Sequence, residues 1–211
     1  MTTERQAKIQ EVLAKRQFNL AVVMENVQDL HNVSAVLRTC DAVGIQDIYI
    51  VNTNIPKHYF FGPKSSSSAT KWLTVHQFDS IHACMAVLRQ QYQKIYATHL
   101  TSEAIELYAI DFVSESVALV FGNEHDGVSD AMRDLCDGNF MIPQVGMIKS
   151  LNISVACAIC IYEAFRQKNI AGHYEQSTVS AHRAIAISEA WSKKKVKIRF
   201  KDLKASKKQA K

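Results

Sequence analysis

The residues of this chain whose types and spacing suit chemistry gather in three stretches. In "HNVSAVLRTCDAVG" (31–44), Asn32 opens an apolar helical pattern and Arg38 follows among Ala35, Val36, Leu37 and Cys40. Asn32 is positioned to cap that helix. A guanidinium in such apolar company needs an anion, because a charge left unpaired there is costly. The partner is either an acid of the chain itself or the phosphate of a ligand. In "LVFGNEHDGVS" (119–129), Gly122 ends an apolar run and lets backbone approach a ligand closely, and Glu124 then falls at the rim of a cleft. In "MIPQVGMIKSLNISVACAICIYEAFRQ" (141–167), Pro143, Gly146, Ser150 and Asn152 crowd in front of the most apolar helix. Pro143 stops a strand and Gly146 permits an unusual turn. Ser150 or Asn152 can cap the helix, whose first amides suit a carboxylate or a phosphate.

Other chemistries lack their signatures. No G-x-G-x-x-G follows a strand, and there is no Walker loop, H-E-x-x-H or G-x-S-x-G. His99 and His125 have no spacing that suggests a triad or a metal set, so no metal is expected. Cys157 and Cys160 form a C-x-x-C string within "VACAICIYEAF". They share one helical face and have no second pair, which points to core packing rather than zinc or redox chemistry. Five cysteines, an odd number in apolar surroundings, argue against a disulfide framework.

The elements that must position these stretches follow from periodicity. A basic amphipathic helix is expected over 4–16, with Arg5, Lys8, Lys15 and Arg16 beside Ile9, Val12 and Leu13. Apolar runs at 20–26, 47–52, 94–100, 117–124 and 139–143, with a shorter one near 73–76, predict strands. Helices are predicted from Asn32 to Gly44, near 80–90 and 129–135, from about Leu151, and over 178–191. Strands alternating with helices indicate an α/β fold with a mainly parallel sheet covered on both faces. Ligands of such sheets bind beyond the carboxyl ends of the strands, where Asn26, Thr98, Gly122–Glu124 and Pro143–Asn152 fall.

The chain's 211 residues, 47% hydrophobic with 7 Gly and 3 Pro, suit one globular domain with appendages. No run of about 18 apolar residues suggests a membrane span. The charged opening "MTTERQAKIQEVLAKRQ" has no apolar signal core, so a cytoplasmic location is expected. Ten of the 25 basic residues and one of the 20 acidic ones lie from Lys193 onward, which gives that segment +9 and leaves −4 for the rest. Such a tail serves either solubility or contact with nucleic acid phosphates.

In their order and spacing, the three stretches resemble the three motifs of the SpoU-type RNA 2′-O-ribose methyltransferases of the SPOUT superfamily, over about residues 4–175. The likeness is strongest to the TrmH branch, whose members methylate guanosine 18 of tRNA and lead from a short basic helix into sequence like "KRQFNL". The resemblance implies S-adenosylmethionine as methyl donor, tRNA as substrate, a homodimer, and a deep C-terminal trefoil knot in the sheet. It divides the chain into a basic helix (1–17), the methyltransferase domain (18–170), a C-terminal helix (171–192) and a basic tail (193–211). It assigns catalysis to Arg38, Asn32, Glu124, Ser150 and Asn152, with Arg38 binding the substrate's phosphate and the developing alkoxide. Cofactor binding falls to Thr98, His99, Leu100, Gly122, Asn123, Ile142, Met147 and Leu151. RNA capture falls to Arg5, Lys8, Lys15 and Arg16 and, on charge alone and not on the resemblance, to Lys193, Lys194 and Lys195 of the tail. Asn123 and His125 depart from the family's usual residues at the rim. Three rivals remain: methylation of ribosomal RNA or another tRNA position, RNA binding without catalysis, and methylation of a small molecule.

Overall fold

The computed structural model describes residues 2–57, 69–175 and 179–193. Seven strands, β1 (Gln17–Glu25), β2 (Ile45–Val51), β3 (Thr74–Phe78), β4 (Lys94–Thr98), β5 (Ile105–Glu106), β6 (Val117–Phe121) and β7 (Gly138–Met141), form one sheet in the order β3-β2-β1-β6-β4-β7-β5. Every pairing between them is parallel. The apolar runs of β2 and β6 are buried along their whole length, as strands covered on both faces must be.

Alternate residues of these strands feed two cores. On one face Val22, Met24, Ile48, Leu119 and Phe121 pack under α2 (Leu30–Ala42) and α5 (Ile153–Ile170). On the other, Ala21, Val23, Tyr49, Ala118 and Val120 meet α3 (Ile81–Gln91) and α4 (Asp130–Arg133). The first and last helices, α1 (Thr3–Ala14) and α6 (Ala181–Lys193), close on one another through Ile9, Leu13, Ile187 and Trp191. Arg183 of α6 is tied to the buried Asp47 of β2, and its guanidinium lies 4.5 Å from the centre of the Phe18 ring.

Several details differ from expectation. Asp29 caps α2, its Oδ1 accepting from the His31 amide at 2.8 Å, and Asn32 lies inside the first turn. Both side chains are good caps; Asp29 takes the position because the helix starts three residues earlier than expected. Ser150 does not cap α5; Asn152 does, accepting from the Ser154 amide at 2.9 Å. β5 has no counterpart among the expected strands. Cys157 and Cys160 are buried, free thiols of the core, and burial raises the pKa of each. Most of the serine-rich loop at 61–72, and Lys194 and Lys195 with the rest of the tail, lie outside the described residues. Among the described residues no helix is long and apolar enough to cross a membrane.

Candidate active site

A cleft of about 520 Å³ opens where β4, β6 and β7 end and α5 begins. A second cavity of about 560 Å³, lined by Asn26, Gln28, Asp29, Asn32, Asn54 and Ile55, adjoins it. Asn123, Glu124, His125 and Asp126 line both and form the ridge between them.

The ridge is shaped by its glycines. A Cβ on Gly122 would fall 1.8 Å from the Gly127 carbonyl carbon, so the loop can fold back on itself only with glycine there. The close approach at this position is therefore to the chain's own backbone. Gly127 completes the turn at φ +68°, a left-handed conformation that suits glycine. Asn123 Oδ1 accepts from the amides of His125 (2.9 Å) and Asp126 (2.8 Å), so its side chain is spent on the turn. The loop's far end is fixed by the buried Glu25, which accepts from Ser129 N (2.9 Å) and Oγ (2.6 Å). Sequence reasoning missed Glu25, which looks like the last residue of an apolar strand. Its neighbour Asn26 sits at φ +50°, and its Oδ1 accepts from the amides of Thr53 (2.8 Å) and Asn54 (3.1 Å).

Three of the expected catalytic residues are joined directly. Asn32 Nδ2 donates to Glu124 Oε1. Asn152 Nδ2 donates to Asn32 Oδ1 at 3.1 Å, and its own Oδ1 accepts from Ser154 Oγ at 2.6 Å. Residues 32, 124 and 152 come from three separate elements, and the chain of bonds orients one carboxylate at the mouth of the cleft. Ser150 also lines the cleft.

Of the expected cofactor residues, Thr98, His99, Leu100, Gly122, Asn123, Ile142 and Leu151 line the cleft at the start of α5. Thr98 Oγ1 donates to the Val120 carbonyl at 3.1 Å, tying β4 to β6. The His99 amide donates to the Phe140 carbonyl at 3.1 Å. Burial, and after it the neighbouring Arg133, lowers the pKa of His99. Its ring therefore stays neutral near pH 7, with Nδ1 3.3 Å from the Arg133 guanidinium. Gln144, Lys149 and Ala156 complete the lining and carried no distinguishing signal in the sequence.

Other expectations are placed differently. Met147 lies outside the cleft lining, fully exposed at 100%, in a loop where Val145 (106%) and Ile148 (65%) are exposed too. Gly146 is not in a left-handed conformation, and a Cβ there would meet open space. Arg38 is exposed rather than embedded, and it lines neither cavity. The buried face of α2 is Val33, Val36, Leu37 and Cys40, and position 38 is off that stripe. On α1, Arg5, Lys8 and Lys15 are exposed, and both lysines pair with Glu11. Arg16 is buried instead, paired with Asp41, and donates to the Ile45 carbonyl at 3.2 Å. Lys193 is exposed on the last turn of α6.

The cleft offers apolar walls from Leu100, Ile142 and Leu151 and an oriented carboxylate, while the amides of Ser154, Val155 and Ala156 at the start of α5 are taken by Asn152. Among the described residues no three His, Cys, Asp or Glu side chains are grouped as a metal site would need.

Known proteins share this arrangement. A tRNA (guanosine(18)-2′-O)-methyltransferase of Thermus thermophilus is 36% identical over 193 residues, which cover 92% of this chain and 98% of the relative. The crystal structure of the Aquifex aeolicus TrmH/SpoU tRNA modifying enzyme superposes with a TM-score of 0.83 at 33% identity, covering 90% of this chain and 95% of that one. The fold alone is shared with the SpoU methyltransferase AviRb of Streptomyces viridochromogenes in complex with AdoMet, at TM-score 0.65 and 24% identity, over 73% of this chain and 59% of that one. The model of the SpoU rRNA methylase family matches residues 19–162, and the chain belongs to that family.

Proposed function

We propose that this protein transfers a methyl group from S-adenosylmethionine to the ribose 2′-OH of guanosine 18 in tRNA, in the cytoplasm and as a homodimer. The observation that carries this reading is the bonded set Asn32–Glu124–Asn152, which unites three sequence-distant stretches at one cleft. The choice of tRNA and of guanosine 18 rests on similarity to relatives of that activity over nearly the whole chain.

The cleft fits the cofactor's chemistry. Leu100, Ile142 and Leu151 suit a flat heterocycle, and backbone groups of 98–100 suit its polar edges. When bound, the cofactor supplies a methyl group on a positively charged sulfur. The protein must then hold a ribose hydroxyl in line with that bond, and alignment alone contributes on the order of 7–11 kcal/mol in favourable cases. Glu124, held by Asn32, is placed to accept a hydrogen bond from that hydroxyl. The exposed apolar residues of the 143–150 loop fold over the cofactor or a second subunit.

Arg38 binds the substrate's phosphate and the developing alkoxide. A guanidinium holds its protons at physiological pH, so its role is electrostatic and bidentate. Six residues along an α-helix turn a side chain about 240° and advance it about 9 Å. Arg38 lines neither cavity of its own subunit, and in this reading the partner's copy of α2 brings the guanidinium in. Val155 and Tyr162, exposed and seven residues apart on α5, give a second subunit an apolar face to cover. The order of the strands supports a knotted crossover: β7 lies between β4 and β5, both of which precede it in the chain.

The test is to incubate the protein with labelled cofactor and either bulk tRNA or ribosomal RNA, and to map ribose methylation. Label at guanosine 18 of tRNA is expected. Label confined to ribosomal RNA would move the substrate to the rival assignment.

A further inference from the structure

We propose that the cavity between α1 and α6 is a stacking site for an unpaired base of the RNA substrate, a reading that deepens the function proposed above and rests on it. The cavity, about 250 Å³, is walled by Trp72 and Trp191 and rimmed by Arg5 and Lys8, with Arg16 and Asp41 beneath. It lies at the amino ends of β1 to β3: Arg16 immediately precedes β1, Asp41 ends α2 just ahead of β2, and Trp72 stands two residues before β3. The catalytic cleft is at the opposite ends of the strands. A ligand here is an anchor, remote from the reacting sugar of the same subunit.

Four observations point to a nucleobase. The two indoles meet edge to face, 5.6 Å between centroids at 90°, so half-buried Trp72 presents a flat surface beside buried Trp191. Arg16, 1% exposed, lies 5.2 Å from the Trp191 ring centre, and its Nε has no hydrogen-bond partner. Its terminal nitrogens are held by Asp41 and the Ile45 carbonyl, so Arg16 supplies a fixed positive charge beneath the indole. Arg5 and Lys8 rim the opening, Lys8 shared with Glu11, and the one lining carboxylate, Asp41, is neutralised by Arg16 below. The ten cations that begin at Lys193 start two residues after Trp191. Aromatic faces combined with positive charge are how sequence-tolerant single-strand binding is built.

Trp72 and Trp191 are the chain's only tryptophans, so tryptophan emission, excited at the red edge where its seven tyrosines do not absorb, reports on this cavity. The full chain is titrated with unmodified tRNA, with a purine-rich single-stranded oligonucleotide, and with the abasic form of that oligonucleotide. Saturable quenching by the first two, and none by the abasic strand, is expected. Trp72→Leu should raise KM for tRNA about 5- to 100-fold with kcat unchanged, and Trp72→Phe should recover part of the loss. Unchanged emission while a mobility shift shows tRNA bound would overturn the inference, as would equal quenching by the abasic strand. A Trp72→Leu variant that melts earlier yet keeps its KM would also overturn it, leaving the indoles as a buttress between α1 and α6. Methylation is measured on the same preparations. Methylation without quenching sinks this inference alone, and absence of methylation sinks the function on which it rests.

Discussion

The two ends of the sheet are built from the same strands and have opposite characters. At the carboxyl end, the first turn of α2, the loop after β6 and the cap of α5 carry Asn32, Glu124 and Asn152, exposed or half-buried and bonded mainly to one another. At the amino end, polar groups are sealed in: Arg16, Gln17, Asp47 and Lys168 are all almost fully buried. The strands between them are apolar and buried, so they fix both ends rigidly and add no chemistry of their own. The difference teaches that the bonded polar set at the carboxyl end stays open to a ligand, whereas at the amino end Arg16, Gln17, Asp47 and Lys168 are enclosed by the fold. Substitutions at the first should cost rate and spare the fold. Those at the second should change stability or RNA affinity and spare the rate.

The largest effect is expected from Arg38→Ala. Loss of one charge-stabilising group at a reaction centre lowers the rate about 100- to 1,000-fold. Single-turnover methylation measures it, with cofactor affinity by calorimetry unchanged. Gly122→Ala sharpens the same contrast, because its Cβ would overlap the backbone of Gly127. The ridge cannot close, and calorimetry should show cofactor binding lost while the circular dichroism of the sheet remains. Asn152→Ala removes both the cap of α5 and the bond to Asn32. A stability loss of about 1 kcal/mol in thermal melts is expected from the cap, with a larger proportional loss in methylation rate.

The smallest effect lies at the amino end. Lys168 is buried near the start of β1, donating to Asn19 Oδ1 at 2.9 Å. Burial lowers its pKa to about 8, opposed by the more distant Asp111. The folded value is below the unfolded one, so between about pH 8 and the ordinary lysine range the unfolded chain holds more protons. Stability should rise with pH across that window, and the full penalty of the buried charge applies below it. Lys168→Met should flatten the rise and, at pH 7, increase stability by about 1 kcal/mol. Denaturant midpoints at about pH 7, below that window, and at about pH 10, near its upper end, check both statements.

Much of this was legible in the sequence, for physical reasons. Uninterrupted apolar runs identify β1, β2 and β6 because strands covered on both faces have no polar side to alternate with. Glu124 and Asn152 stand out because they follow a buried strand and precede a buried helix. What escaped depended on partners distant in sequence. β5 is two residues, Ile105 and Glu106, with no pattern to detect; it exists because β7 is there to pair with it. Gly122 is needed by Gly127, a neighbour only once the loop has folded. Arg38 is different: the phase of Val33, Val36, Leu37 and Cys40 already puts position 38 off the buried stripe. Its apolar neighbours in sequence are not its neighbours in space.

The central claim is that one active site joins Asn32, Glu124 and Asn152 of one subunit to Arg38 of the other. Mixing the inactive Arg38→Ala and Asn152→Ala proteins under conditions that exchange subunits tests it most directly. A mixed dimer then holds one complete site, and methylation should recover to as much as half the wild-type rate per dimer. No recovery in a dimer shown to contain both chains would place Arg38 in its own subunit's site, or outside the reaction, and would contradict the account.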